Sequence, residues 1–366
     1  MTTYLLAGGG TAGHVNPLLA VADHLRARDA DAEVLVLGTA EGLEARLVPA
    51  KGYELLTIAK VPFPRRPNGA AARFPRRFSQ SIADVRAIIE EREVEVVVGF
   101  GGYVSTPAYI AARRLGIPIA IHEANAKPGL ANRLGARWAE TVGVAFSGTP
   151  LRHAEVVGMP LRREIADLDR AAGRRAAAES FDLDPDRPIL LATGGSLGAR
   201  RINRTMVASA EAITRAGWQV LHVTGAGSDV SDPGVDGYRM LEYADRMDLA
   251  LTVADAAVSR AGAATVCELA ALGIPSILVP YPVGNGEQRH NAAEVVEAGG
   301  AMLVDDAAFT PDLVGSTLLP LLASPQRVSE MAAAAASVGR RDGTQRMVAL
   351  VDAALGAGAD GAPSGA

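Results

Sequence analysis

The sequence contains little of what several common kinds of site require. Its single cysteine, Cys267, excludes a disulfide framework or a cysteine-ligated metal site within one chain. No apolar run reaches the roughly 20 residues of a membrane-spanning helix. The opening residues MTTYLLAGGG lack the basic region and long apolar core of a signal peptide. A net charge of -5 argues against a general nucleic-acid-binding protein.

The residues that are present predict a folded, water-soluble α/β protein. Hydrophobic residues make up 49% of the 366 positions, and this length suits two domains. Short apolar runs, such as 4–7, 94–98, 189–192 and 276–279, alternate with amphipathic stretches such as 17–27. Buried strands that alternate with helices are typical of doubly wound parallel sheets.

A near-repeat divides the chain. YLLAGGGTAGH at 4–14 is similar to ILLATGGSLGA at 189–199, and each predicts a strand, a glycine loop and a helix start. Such a loop offers backbone N–H groups to a phosphate, although it is also typical of a tight turn without a ligand. The spacing differs from GxGxxG, and the GxxxxGK[ST] pattern of P-loop ATPases is absent.

We place the domain boundaries on this repeat. The predicted N-terminal domain covers 1–158 and the C-terminal domain 159–337. A helix at about 338–355 is expected to pack back on the first domain. The Gly- and Ala-rich residues 356–366 are expected to form a disordered tail.

A basic and aromatic patch lies in residues 55–83, which contain no acidic residue. Cations beside aromatic rings suit the surface of an anionic membrane and predict peripheral attachment, with an ordinary solvated loop as the alternative. Four prolines, at 62, 64, 67 and 75, are expected to keep the first part a loop. The patch contains Lys60, Phe63, Arg65, Arg66, Arg73, Phe74, Arg76, Arg77 and Phe78.

Seven short motifs, in order along the chain, together resemble those of the MurG family of peptidoglycan synthesis, in glycosyltransferase family 28. They are GGTAGH (9–14), GGYVS (101–105), HEAN (122–125), VVGMPLR (156–162), GGSLGAR (194–200), SRAGAATVCEL (259–269) and GEQRHNA (286–292). Met159 and Leu197 stand where the family commonly has asparagine and glutamine.

The resemblance implies a fold and a reaction. The family has the GT-B fold, in which two Rossmann-like doubly wound parallel-sheet domains face a cleft. It transfers N-acetylglucosamine from UDP-N-acetylglucosamine, with inversion, to the C4 hydroxyl of the N-acetylmuramic acid of lipid I. The product is lipid II, which serves cell-wall growth, cell shape and division.

The resemblance also implies a donor site. The diphosphate is expected on Ser196 and the N–H groups of Gly195 and Gly198, the ribose on Glu268, the sugar on Gln288, and the uracil beside the backbone of Tyr243. Arg260, which adjoins this pocket, is either a ligand contact or a structural ion-pair partner. The complete donor set is Thr11, Ala12, Gly13, Asn125, Arg162, Ser196, Tyr243, Ala263, Ala264, Thr265, Val266, Cys267, Glu268 and Gln288.

The acceptor side is expected in the first domain, with Gly102 and Tyr103 lining its pocket. His14 is the first candidate for the base that deprotonates the acceptor hydroxyl, although its position also suits a packing histidine. Glu123 is the second candidate, as base or as an orienting group. His122 is expected to be structural. Helix N-termini can neutralise the leaving diphosphate, so neither a metal nor a cofactor is expected.

The expected partners are UDP-N-acetylglucosamine, lipid I (an undecaprenyl-diphosphate-linked MurNAc-pentapeptide), an anionic membrane surface and a cell-wall synthesis complex. The expected location is peripheral, on the cytoplasmic side of the cell membrane. Three other enzyme classes share parts of this pattern: a transferase of the same fold with another acceptor, a nucleotide-sugar epimerase and a dinucleotide oxidoreductase. A non-catalytic sugar-nucleotide-binding protein is the fourth alternative.

Overall fold

A computed structural model describes residues 1–61, 69–195, 198–283 and 285–360. The chain forms two compact units. The N-terminal unit comprises Met1–Arg162 and the C-terminal segment from Arg341, and the C-terminal unit comprises Arg163–Arg340. Each unit is built on its own parallel sheet, as the alternation of apolar runs predicts.

The N-terminal unit contains a seven-stranded parallel sheet in the order β3-β2-β1-β4-β5-β6-β7. Its strands are β1 (Thr3–Gly8), β2 (Glu33–Gly38), β3 (Glu54–Thr57), β4 (Val96–Gly101), β5 (Ile119–Glu123), β6 (Thr141–Val144) and β7 (Ala154–Val156). Its helices are α1 (Ala12–Arg28), α2 (Glu44–Ala50), α3 (Gly69–Glu91), α4 (Ser105–Leu115), α5 (Leu130–Gly135) and the C-terminal helix (Gly343–Asp360).

Helices cover both faces of this sheet, which is why its central strands are apolar without interruption. One core contains Leu18 of α1 and Val351 of the C-terminal helix, and the other contains Val85 of α3 and Tyr109 of α4. The order of the strands reverses between β1 and β4. Ligands bind at such a switch point, outside the carboxyl ends of the strands.

The C-terminal helix belongs to the N-terminal unit. Arg28 pairs with Asp352 at 2.5 Å, and Thr141 Oγ1 donates to Leu350 O at 3.0 Å. Thr344 Oγ1 donates to Leu161 O at 3.1 Å. This bond ties Leu161 to the C-terminal segment, and the boundary between the two units lies after Arg162.

The prediction of a disordered tail at 356–366 was wrong for its first part, because the C-terminal helix continues to Asp360. The packed residues before it have already nucleated the helix, and extending a nucleated helix by a few residues costs little. Residues 361–366 lie outside the described part of the chain.

The prediction that Pro75 keeps its segment a loop was also wrong, since Pro75 lies inside α3. An interior proline costs a helix about 3 kcal/mol. The buried face of α3 offsets this cost through Ile82, Val85 and Ile89. Residues 62–68, which contain the other three prolines, are outside the described residues.

The C-terminal unit contains a six-stranded parallel sheet in the order β10-β9-β8-β11-β12-β13, with its switch point between β8 and β11. Its strands are β8 (Ile189–Thr193), β9 (Gln219–Val223), β10 (Tyr238–Leu241), β11 (Ala256–Ser259), β12 (Ser276–Leu278) and β13 (Ala301–Leu303).

The helices of this unit flank the sheet. They are α6 (Arg163–Ala166), α7 (Arg170–Glu179), α8 (Arg200–Ala208), α9 (Ala210–Arg215), α10 (Met247–Val253), α11 (Ala263–Ala271), α12 (Glu287–Asn291), α13 (Ala293–Glu297), α14 (Pro311–Leu313), α15 (Leu319–Leu322) and α16 (Pro325–Val338). A 3₁₀ turn (Asp306–Ala308) and a π turn (Val314–Leu318) complete the unit. In the part of the chain described, every helix is too short or too polar to cross a membrane.

Candidate active site

The first glycine loop joins β1 to α1 at the switch point of the N-terminal unit. Gly10 has a φ of +88°, which favours glycine. The loop lies against the end of β4, where a Cβ added to Gly102 would approach Gly9 O to 2.7 Å. Side chains are excluded between the two segments, so their backbones approach each other directly.

His14 lies in the first turn of α1, with Nδ1 3.1 Å from Gly9 O and 3.2 Å from Thr11 Oγ1. A carbonyl oxygen can only accept, so the bond to Gly9 places the proton on Nδ1. The neutral ring then carries its lone pair on Nε2. This geometry favours the base over the packing role for His14, because Nε2 is the nitrogen that can take up a proton.

Glu123 ends β5 and is only 3% exposed. Its carboxylate accepts hydrogen bonds from Asn125 N at 2.9 Å, Gly129 N at 3.0 Å and Asn132 Nδ2 at 3.0 Å. Donors therefore occupy both carboxylate oxygens. The orienting role is therefore the better interpretation of Glu123, which fixes the turn that carries Asn125.

His122 is fully buried beside this turn, and its Nε2 lies 3.0 Å from Gly158 O. Burial lowers the pKa of His122 to about 4, so the ring is neutral near pH 7. Asn132 Nδ2 also donates to His122 O at 3.1 Å, and Tyr109 OH donates to Asn132 Oδ1 at 2.7 Å. These contacts give His122 a structural role.

The sequence motifs do not identify Asn132, although it joins Glu123, His122 and Tyr109. It lies on α5 and is 2% exposed. A single asparagine with no local pattern carries no signal of its role, because its partners come from distant parts of the chain.

The predicted acceptor residues lie at the same edge of the sheet as His14. Gly102 has a φ of +87°, and Tyr103 beside it is 48% exposed. Lys60 Nζ lies 5.9 Å from the centre of the Tyr103 ring. An exposed aromatic ring next to a cation suits an amphiphilic anionic ligand.

The remaining predicted residues of this unit are placed as follows. Thr11 is exposed, and Ala12 and Gly13 are half-buried in the first turn of α1. Asn125 is held by Glu123, and Arg162 is half-buried at the end of the unit.

The second glycine loop follows β8 in the C-terminal unit, and Ser196 within it lies outside the described residues. Gly198 N donates to Gly195 O at 2.8 Å, and Gly195 N lies 3.3 Å from Thr193 Oγ1. Both N–H groups form hydrogen bonds within the loop, and their binding to the diphosphate stays a prediction. Gly198 also packs on Thr224, whose O would lie 2.3 Å from an added Cβ.

The segment 263–268 begins α11 directly after the β11 end. Helix geometry leaves the first N–H groups, from Ala263 to Thr265, without partners inside the helix, and they carry the positive end of its dipole. The side chains of Ala263 and Val266 are buried, and Val266 N already donates to Gly262 O at 2.9 Å. Ala264, Thr265 and Glu268 are half-buried. Burial raises the pKa of the Cys267 thiol, which keeps it neutral.

Gln288 and Tyr243 complete the predicted donor residues. Gln288 Oε1 accepts from Tyr281 N at 2.8 Å, so a sugar hydroxyl would meet its amide NH₂ group. Tyr243 is 54% exposed.

Arg260 is an ion-pair partner. Its Nη1 lies 2.7 Å from Asp306 Oδ1 and also donates to the backbone oxygens of Val279 and Pro280. The side chain is 11% exposed. Of the two alternatives for Arg260, these contacts favour the structural one.

A cavity of about 470 Å³ opens beside this ion pair. Four arginines line it, and Asp306 is the one acidic residue among the described residues of its lining. Arg200 and Arg204 also pair with Asp229. Arginines still outnumber these acids, which favours an anion. Arg201 and Arg204 were not predicted, because they lie beyond the glycine motif. The arginines are Arg200, Arg201, Arg204 and Arg260.

Apart from Lys60, which follows β3, the described part of the basic and aromatic patch lies on α3. The rings of Phe74 and Phe78 stack with centroids 5.3 Å apart, and Arg77 Nη2 donates to Lys60 O at 3.2 Å. Arg76 and Arg77 are exposed. Phe63, Arg65 and Arg66 lie outside the described residues.

Comparisons with known proteins agree with both units. The family model of the glycosyltransferase family 28 N-terminal domain matches residues 4–144, and that of the C-terminal domain matches residues 189–347. A relative from Leifsonia xyli is named UDP-N-acetylglucosamine--N-acetylmuramyl-(pentapeptide) pyrophosphoryl-undecaprenol N-acetylglucosamine transferase. It is 65% identical over 98% of this chain and 100% of its own length. A Streptomyces coelicolor relative of the same name is 50% identical over 96% and 98%.

Solved structures show the same fold. The crystal structure of MurG from Acinetobacter baumannii matches with a TM-score of 0.79 and 28% identity over 96% of this chain and 99% of that one. The UDP-GlcNAc 2-epimerase of Neisseria meningitidis matches with a TM-score of 0.69 and 14% identity over 96% and 99%, which shows the fold alone.

Proposed function

The chain belongs to glycosyltransferase family 28, and from that premise we propose that it transfers N-acetylglucosamine from UDP-N-acetylglucosamine to the C4 hydroxyl of the N-acetylmuramic acid of lipid I. The reaction inverts C1 and yields lipid II. The observation that carries this proposal is the 65% identity, over nearly all of both chains, to a relative named for this transfer.

The C-terminal unit would hold the donor. The start of α11 offers N–H groups and a helix dipole to the diphosphate, and the arginine-lined cavity adds positive charge. Glu268 would accept from the ribose hydroxyls, and the amide NH₂ of Gln288 would donate to a sugar hydroxyl. These groups neutralise the leaving UDP, so the transfer needs no metal or cofactor.

The N-terminal unit would supply the base. His14 Nε2 takes the proton of the C4 hydroxyl while that oxygen forms a bond to the anomeric carbon. The bond between the anomeric carbon and the diphosphate oxygen breaks, and its electron pair leaves with UDP. The imidazolium that forms keeps its Nδ1–H bond to Gly9 O.

The α3 patch would attach the protein to the membrane that carries the acceptor. Its exposed cations, Arg76 and Arg77, suit an anionic lipid surface. Phe74 is half-buried beside them and stacks on Phe78, which packs against the core of the unit. We place the protein peripherally on the cytoplasmic side of the cell membrane, with a cell-wall synthesis complex as a further partner. Co-sedimentation with vesicles of anionic and of zwitterionic lipid tests this, and equal binding to both would contradict it.

The transfer is tested with labelled UDP-N-acetylglucosamine and a short-chain lipid I analogue. We expect a labelled disaccharide product, and Gln288→Ala should raise the KM for the donor. Because an epimerase has the same fold, the experiment also includes a reaction with the donor and no acceptor. The proposal fails if no disaccharide forms with the analogue and the donor gives UDP or an epimerised sugar at the same rate with and without the analogue.

A further inference from the structure

A buried acid lies under the first glycine loop, and the reaction proposed above does not use it. Glu44 is the first residue of α2 and is 1% exposed. It lies outside all the motifs of the sequence. A buried carboxylate requires partners, and one of those of Glu44 lies in the loop that precedes His14.

The carboxylate of Glu44 connects the ends of two strands. Its Oε2 accepts from Gly10 N at 2.8 Å. Its Oε1 accepts from Thr39 N at 3.0 Å and from Thr39 Oγ1 at 2.8 Å. Thr39 follows β2 and Gly10 follows β1, so one side chain fixes both ends.

Three glycines make room for this side chain. A Cβ added to Gly9 would lie 2.4 Å from Glu44 Oε1, and one added to Gly42 would lie 2.1 Å from Oε2. At Gly38 it would lie 2.5 Å from Glu44 Cγ. These three glycines therefore leave space for the side chain of Glu44.

The acid is held as an anion. Burial by itself would raise the pKa of Glu44, but hydrogen bonds from Gly10, from its own backbone and from Thr39 outweigh burial and lower the pKa. A negative charge against the loop opposes the binding of a phosphate there, and the Gly10 N–H that a phosphate would use is engaged. One N–H group of the first loop is therefore occupied by an acid of the protein itself.

What the loop does is orient His14. Glu44 fixes Gly10, and the carbonyl of the preceding residue, Gly9, receives the hydrogen bond from His14 Nδ1 at 3.1 Å. The direction of this carbonyl sets the tautomer and the orientation of the ring. A rotation of the Gly9–Gly10 peptide would remove the acceptor of Nδ1–H.

We propose that Glu44 is a positioning residue for the transfer reaction: through the Gly9–Gly10 peptide it holds His14 with the proton on Nδ1 and the lone pair on Nε2. This inference rests on the proposed role of His14 as the base. Glu44 acts through the loop and contacts neither substrate.

The test variant is Glu44→Gln. It keeps the size of the side chain, but its NH₂ group must face either Gly10 N–H or Thr39 N–H, which places a donor against a donor. We expect kcat to fall about 10- to 100-fold, because small misplacements of a catalytic group have effects of this size. The KM for the donor should stay within about twofold.

Glu41→Gln is the matched control. It makes the same charge change three residues earlier at an exposed position and should leave kcat unchanged. The decisive measurement repeats both substitutions in a His14→Ala background. If Glu44 acts through His14, Glu44→Gln changes kcat less than about twofold there.

An equal loss of kcat in both backgrounds would overturn the inference, since it would make Glu44 a general support of the fold. Unchanged kcat in Glu44→Gln alone would also overturn it. UDP affinity and melting temperature, measured on the full chain, show whether Glu44→Gln is folded. If it is misfolded, Glu44→Asp takes its place in the comparison of the wild-type and His14→Ala backgrounds. Failure of the transfer proposal is separate, because then the wild-type protein forms no disaccharide.

Discussion

The two glycine loops have similar sequences and occupy the same place in their sheets, but their surroundings have opposite charge. The first loop contacts the anionic carboxylate of Glu44, and its Gly10 N–H is engaged there. The second packs on Thr224 and borders a cavity with four arginines and one acid. Glycine permits close approach of the backbone in both loops, and the neighbouring side chains decide the charge of the ligand.

This difference assigns different chemistry to the two loops. We expect the diphosphate of the donor beside the second loop, where the arginines and the start of α11 lie. The first loop instead holds the His14 ring by its Nδ1. A base for an alcohol and a binding site for a leaving anion are the two requirements of a glycosyl transfer.

The largest expected effect is on the first loop, where His14→Ala should lower kcat by about 10²–10⁴-fold. The KM for the donor should change little, because the proposed donor groups lie in the other unit. His24→Ala, on the same helix, is the control. A variant that keeps kcat and loses only acceptor binding would move the role of base away from His14.

Low pH should reduce the free energy of unfolding of both units, because each contains a buried histidine. Burial lowers the pKa of His122 and of His222 from 6.5 to about 4, while the unfolded chain keeps the ordinary value. Between pH 6.5 and 4 the unfolded state binds more protons. Stability is thus fully present above pH 6.5 and falls as the pH drops, by about 3 kcal/mol for each histidine at pH 4.

Hydrogen exchange of the β5 and β9 amides measures this loss in each unit separately. His222→Gln should remove the pH dependence of the C-terminal unit and leave that of the N-terminal unit. An undiminished slope in the C-terminal unit would show that other groups titrate there.

Local sequence patterns suffice to predict the two sheets and the positions of the glycine loops. Apolar runs with parallel-strand character and the repeat at 4–14 and 189–199 predict two doubly wound domains, and the structure has them. His14 is visible for the same reason, because it follows the glycines directly.

The partners of the loops could not be predicted from the sequence, because they come from elsewhere in the chain. Glu44 reaches Gly10 across 34 residues, and Asn132 reaches Glu123 across nine. Neither residue stands in a motif. Whether the Gly10 N–H is free for a ligand depends on Glu44, which the sequence of the loop itself does not reveal.

Alanine substitutions of Gly10 and Gly198 compare how much each loop contributes to the free energy of unfolding. An added Cβ at Gly198 would lie 2.3 Å from Thr224 O, and φ is +71°. At Gly10 φ is +88°, but no described heavy atom lies within 4 Å of the Cβ. We expect Gly10→Ala to cost about 1–2 kcal/mol of backbone strain and Gly198→Ala clearly more, because the clash is added. Urea unfolding measures both, and equal losses would contradict the tighter packing of the second loop.

The smallest effect concerns the charge beside the second loop. Arg201 and Arg204 line the cavity but are 47% and 63% exposed, so solvent screens them. Each substitution to glutamine should weaken UDP binding by about 0.2–1 kcal/mol, and the loss should shrink as salt is added. Arg215→Gln, an exposed and paired arginine of the same unit, should leave UDP binding unchanged. If all three variants bind UDP equally in low salt, the cavity does not attract the diphosphate, and α11 alone distinguishes the donor side from the first loop.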